Sequence, residues 1–136
     1  MNVLVIGGGI SGISAAKVLL GEKHDVTILE SSPEPGGLMA RIANCRVGFK
    51  TFFDEIRDNE HLNVIRDAKI AKVDRAKRMF AVTLDDGRSI TADKVIIATG
   101  LTPYDPLEYK GKRIFTSLKY DAVIDQRQGE LPADFN

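Results

Sequence analysis

Near the amino terminus four apolar residues, Val3, Leu4, Val5 and Ile6, run straight into Gly7-Gly8-Gly9, and a fourth glycine, Gly12, follows three residues later. An uninterrupted apolar run rich in β-branched residues fits a parallel strand covered on both faces, because a strand with one wet face would alternate. Beyond the glycines, Ile10, Ile13, Ala16 and Leu20 recur at helical spacing, Ala15 and Ala16 favour the helix, and Gly21 supplies a stop. Strand, glycine turn and helix in this order commit the amino-terminal segment to an α/β unit.

Within that turn Gly7, Gly9 and Gly12 match the pattern G-x-G-x-x-G. The first glycine of such a pattern permits the sharp turn, the second lets backbone approach a pyrophosphate, and the third lets helix press on strand. The helix amino terminus then offers unpaired N–H groups and a partial positive charge to an anion. The next apolar segment, Val26 to Glu30, reads as a second buried strand that ends in an acid eighteen residues beyond Gly12. A carboxylate there accepts hydrogen bonds from ribose hydroxyls and repels a 2′-phosphate, so the pattern points to FAD or NAD in preference to NADP.

The remaining chain continues the α/β theme. SSPEPGG, residues 31–37, holds two prolines and two glycines and reads as a loop. Phe49, Phe52, Phe53 and Ile56 share one helical face, which predicts an amphipathic helix from about Lys50 to Asp58. LNVIR, residues 62–66, is a strand. AKIAKV, RMFAVTL and RSITA are three short β candidates, the last two joined by the hairpin turn Asp85-Asp86-Gly87, with Phe80, Val82 and Leu84 on one buried face. KVIIATG returns to a continuous apolar strand. Beyond it LTPYDPLEYKGK reads as irregular, IFTS as a short strand, Tyr120, Val123 and Ile124 as marks of a last helix, and the tail from Gln126 carries no pattern.

Together these segments predict a three-layer Rossmann-type α/β domain: a parallel sheet near 2–6, 26–30, 62–66 and 94–98, helices packed on it, and an antiparallel β-meander inserted in the last crossover. With 136 residues, a single domain over 1–136 is expected. Nineteen basic and nineteen acidic residues cancel, and no basic block stands out, so nucleic acid is not an expected partner; Arg75, Lys77 and Arg78 read as a solvated turn. No tract has the length of a membrane span, and no secretory signal is legible, which sets the cytoplasm as the expected location. The single cysteine, Cys45, forms no internal disulfide or redox pair by itself and is expected to be a free structural thiol. His24 and His61 are expected to face solvent, Asp85 and Asp86 to serve the hairpin, and no metal site is expected.

At this point the chain resembles a known group. GGGISG, then Glu30, then Gly36-Gly37, then the meander, then IIATG is similar to the FAD-binding domain of the glutathione-reductase-like flavoproteins with two dinucleotide-binding domains, over roughly residues 2 to 100. Within that group GGLMARI, NCR at 44 to 46, ATGLTPYDP and IFTSLKYDAVI resemble most closely the flavin domain of the heterodisulfide reductase A family and of the related quinone-interacting oxidoreductase subunits. The resemblance implies FAD as cofactor. It also implies that Gly7, Gly9, Ile10, Ser11 and Gly12 wrap the pyrophosphate, that Glu30 holds the adenosine ribose, and that backbone around Ile70 meets the adenine edge. Gly37, Leu38 and Arg41 would lie along the phosphates and the flavin side, with Thr99 and Gly100 closing over the cofactor. A cluster-linked role for Cys45 is implied for the narrower group, although its sequences are richer in cysteine than this one.

Flavoproteins of this kind continue to a late Gly-Asp strand beside the flavin and carry a second glycine fingerprint, and neither is found in these residues. The expectation is an FAD-binding oxidoreductase domain that is incomplete by comparison, completed by a protein partner or a further domain, and engaged in electron transfer. No catalytic residue is named. Two alternatives stand beside it: an NAD-binding dehydrogenase domain, and a non-catalytic nucleotide-binding assembly module.

Overall fold

The structure is a computed structural model and describes residues 1–101. The expected irregular stretch from Thr102, the strand at 114–117, the helix around Tyr120 to Ile124 and the tail lie outside the described residues.

The elements follow the order β1 (Asn2–Ile6), α1 (Ile10–Gly21), β2 (Asp25–Leu29), α2 (Gly37–Arg41), α3 (Ala43–Asp54), β3 (Leu62–Ile65), β4 (Ile70–Ala76), β5 (Met79–Leu84), β6 (Ser89–Ala92) and β7 (Lys94–Ile97). Four strands form a parallel sheet in the order β3-β2-β1-β7. Its register runs from Asn2 opposite Asp25 to Ile6 opposite Leu29, with Ile6 also opposite Ile97. The other three form the antiparallel meander β4-β5-β6.

Strand alternation sends successive side chains to opposite faces. Val5, Val26 and Ile28 therefore meet Ile13, Ala16 and Leu20 of α1 together with Phe49 and Ile56 on one side. Leu4 and Leu29 meet Ala68, Val82, Leu84 and Ala92 on the other. Helices, sheet and meander thus make the expected three layers, and the central strands are apolar at nearly every position because both faces are covered. The meander enters between β3 and β7 and is tied to the sheet where Asp93 crosses to β7: its N–H donates to Asn2 O at 2.9 Å while its carboxylate accepts Asn2 N–H at 2.7 Å.

Two expectations in the middle of the chain are corrected. The loop ends earlier than SSPEPGG implied, because Gly37 opens the short helix α2. The amphipathic helix expected over 50–58 instead spans Ala43–Asp54, and Ile56 is buried just past its end. The face was legible and the bounds were not. α3 begins after Ile42, whose extended backbone breaks the chain between the two helices with no capping side chain, so none of the usual start signals marks the place. Phe49 is buried, its ring 6.4 Å from that of Phe53, and Phe52 and Phe53 are half-buried against the same core. His61 is exposed as expected, whereas His24 is half-buried at the turn into β2.

Candidate dinucleotide site

The glycine turn sits where the carboxyl ends of β1, β2 and β7 come together. Gly7 N–H donates to Leu29 O at 2.8 Å, and Ala98 N–H donates to Ile6 O at 2.8 Å, which pins the turn between its two neighbouring strands. Gly7 has φ +109°, and a Cβ on it would stand 2.3 Å from Ala98 O; one on Gly12 would stand 1.9 Å from Gly7 O. Both glycines are therefore demanded by the protein itself. Gly9 is not. Its backbone is ordinary, with φ −79°, and a Cβ there would meet nothing within 4 Å. The described residues give no internal reason for a glycine at that position, and the open space lies over the start of α1.

That start is electrostatically bare. Gly9 caps α1 without a side-chain hydrogen bond, and no acidic residue stands in its first turn. The first N–H groups of a helix have no partner within it, and they carry the positive end of its dipole. They open on a cavity of about 1150 Å³. Gly7, Gly9, Ile10 and Ser11 line it from the turn, Gly37, Leu38 and Arg41 from α2, and Thr99 and Gly100 from the end of β7. Glu30, just past β2, and Ile70, at the start of β4, line it as well. Of the residues expected in the site only Gly12 does not face the cavity; it is buried where α1 crosses Gly7. Its place is structural, as the third glycine of the pattern implies.

Glu30 is the one buried charged residue among the described residues, at 6% exposure. Its Oε2 accepts Gly8 N–H at 2.8 Å, and its Oε1 accepts Ser32 N–H at 2.8 Å and lies 3.4 Å from Ser31 Oγ. Arg41, on α2, is exposed and has no hydrogen-bond or ion-pair partner among the described residues, so a cation is available at the α2 edge of the cavity. Arg66 is held by Glu34 at 2.9 Å beside the loop. Several lining residues escaped the sequence pattern. Gly8, hidden as an x of the fingerprint, bonds both to Glu30 and, through its carbonyl, to Gly36 N–H at 2.8 Å. Met39 and Lys69 also line the cavity, and nothing in their spacing marks them.

Cys45 is half-buried on α3 and free. Among the described residues no group of His, Cys, Asp and Glu is arranged to hold a metal, and no helix is long and apolar enough to cross a membrane.

A parallel sheet with a glycine turn at its carboxyl edge, a helix amino terminus over an open cavity and a meander in the last crossover define an FAD/NAD-binding domain of flavoprotein type. The chain matches the pyridine nucleotide-disulphide oxidoreductase family over residues 1–132 and belongs to that family. It is 38% identical to the L-amino-acid oxidase of Daboia russelii over 66 residues, which are 48% of this chain and 13% of the oxidase, and the L-amino-acid oxidase of Naja atra matches to the same extent. Among solved structures it is similar in fold to the thioredoxin reductase of Lactococcus lactis, with TM-score 0.70 and 19% identity over 82% of this chain and 39% of that one. It is also similar to an HOCl-induced flavoprotein disulfide reductase of Escherichia coli, with TM-score 0.59 and 21% identity over 76% of this chain and 22% of that one. The chain thus spans only a minor part of these relatives' length.

The family binds FAD, and the residues present suit it. The open space at Gly9, the uncapped helix above it and the buried carboxylate one strand away offer, in order, room, positive potential and hydroxyl acceptors.

Proposed function

We propose that this chain is the adenylate-holding part of an FAD-dependent oxidoreductase that passes electrons within a larger assembly, in the manner of the heterodisulfide reductase A family. The observation that carries the reading is Gly9, a glycine that no contact among the described residues requires and that leaves open space over the start of α1. On this reading residues 1–136 form one FAD-binding domain, located in the cytoplasm. Gly9, Ile10 and Ser11 receive the pyrophosphate on backbone N–H groups, and Gly7 and Gly12 shape the turn beneath it, the Gly7 N–H being held by Leu29 O. Glu30 accepts the ribose hydroxyls, backbone near Ile70 borders the adenine, and the Arg41 guanidinium neutralises phosphate charge. Gly37 and Leu38 border the path toward the flavin, with Thr99 and Gly100 closing over it.

FAD supplies the redox chemistry, and the protein supplies position and field. Every residue named here binds and orients; none is assigned a proton. A protein partner or a further domain completes the flavin side, which is in keeping with the small share of its relatives that the chain covers.

Reconstitution tests the reading. Purified protein mixed with FAD should show bound-flavin absorbance at equilibrium, and calorimetry should favour FAD over NAD. Persistent absence of flavin uptake sinks it. The partner component predicts weak FAD binding by the chain alone that strengthens with co-purifying proteins, and tight one-to-one binding by the isolated chain removes that component.

A further inference from the structure

Glu30 is where the two loops that frame the cavity meet. One carboxylate oxygen holds Gly8 N–H of the glycine turn, and the other holds Ser32 N–H of the segment that follows β2, each at 2.8 Å. Gly8 also accepts from Gly36, so the same carboxylate reaches, through one residue, the base of α2. A carboxylate has about four acceptor sites. The donors within reach, Gly8 N–H, Ser32 N–H and the more distant Ser31 hydroxyl, leave capacity for an incoming hydroxyl. Bracing and binding are therefore compatible in one group.

We propose that Glu30 is a positioning residue for the anion-binding glycine turn, acting through Gly8, in addition to any contact with a sugar. The inference rests on the dinucleotide reading of the site. It carries a sign that charge alone would reverse. Removing a carboxylate beside a phosphate site relieves repulsion, so a Glu30 that served only the sugar would, once neutralised, leave a ligand without sugar hydroxyls bound equally well or more tightly. A brace predicts the opposite, because the turn loses its set conformation.

The test compares ADP with 2′,3′-dideoxy-ADP on the full chain by calorimetry. Glu30→Gln keeps the shape but has one oxygen, so its amide nitrogen must face one of the two N–H donors. The variant should bind the dideoxy nucleotide about tenfold more weakly than the parent. Unchanged or tighter binding overturns the brace. Gly8→Ala supplies an independent arm, since its Cβ would stand 2.9 Å from Glu30 Oε2 and displace the carboxylate without removing its charge. ADP and its dideoxy analogue should both lose affinity, ADP by at least as large a factor; a loss confined to ADP overturns the proposal. A third measurement needs no nucleotide. The Gly8 and Ser32 amides should both exchange slowly in the parent, and at least one of them about tenfold faster in Glu30→Gln. Equal rates overturn the brace, whereas failure of the parent to bind ADP or FAD counts against the proposed function and leaves the exchange result to decide this one.

Discussion

Gly9 and Gly12 occupy the same fingerprint and are glycine for unrelated reasons. Adding a methyl group at Gly12 drives it into a backbone carbonyl that cannot move away, so Gly12→Ala should destabilise the chain by about 3 kcal/mol in urea unfolding, the upper end of ordinary overpacking. At Gly9 the methyl group enters open space, and the cost is confined to a poorer helix cap, about 1 kcal/mol or less. Its effect should fall on the ligand: Gly9→Ala should fold cooperatively and lose ADP and FAD affinity at least about tenfold, one strong hydrogen-bonded contact's worth. A Gly9→Ala chain that binds like the parent would remove the ligand-based explanation of that residue. The fingerprint glycines and Glu30 were legible from the sequence because each answers a local demand for turn, approach or acceptor. That Glu30 also grips Gly8 was not, because the bond joins residues 22 positions apart.

Elements show the same division. The apolar face of α3 was written in the 3.6-residue spacing of its phenylalanines, but its beginning was not, since Ile42 is no capping residue and the two prolines just before α2 masked a helix that starts at Gly37. Tertiary packing decides those bounds: α2 lies against α3, and α3 sends Phe49 into the core formed with Val5, Ile13 and Val26. Phe49, 5% exposed, anchors that contact, and Phe49→Ala should cost about 3–4 kcal/mol by thermal or urea unfolding. The β5–β6 hairpin was legible whole, because Asp85-Asp86-Gly87 carries its own chemistry: Gly87 has φ +85°, and Asp86 Oδ1 accepts Arg88 N–H at 3.0 Å. The Arg88 guanidinium, hydrogen-bonded at 2.7 Å, holds the Asp86 carboxyl below the usual carboxylate range. A carboxyl whose value is lowered by folding stabilises the fold above its unfolded value and loses that contribution as pH falls through the lowered one. Amide protection at the hairpin should therefore drop at acid pH, below the ordinary aspartate range, and Asp86→Asn should flatten that dependence while leaving the parallel sheet's exchange unchanged.

For the whole molecule the strand order is β3-β2-β1-β7, all parallel, so each strand is reached by a crossover connection. α1 connects the neighbouring strands β1 and β2, and the chain returns past β1 to set β7 on its other side. That return leaves β7 at the edge of the sheet among the described residues, with Ile97 76% exposed in a strand as apolar as a central one. Ile97→Lys should therefore leave unfolding stability within about 0.5 kcal/mol and lower concentration-dependent light scattering. By itself the sequence determined the layers, the glycine turn, the acid one strand on and the hairpin, because hydrophobic period and turn chemistry act over a few residues. Only the tertiary structure decided which strands are neighbours, where α2 and α3 start, which fingerprint glycine faces open space, and that one carboxylate ties two loops together. Those depend on groups far apart in the chain meeting at the carboxyl ends of the strands, and no short window of sequence contains both partners.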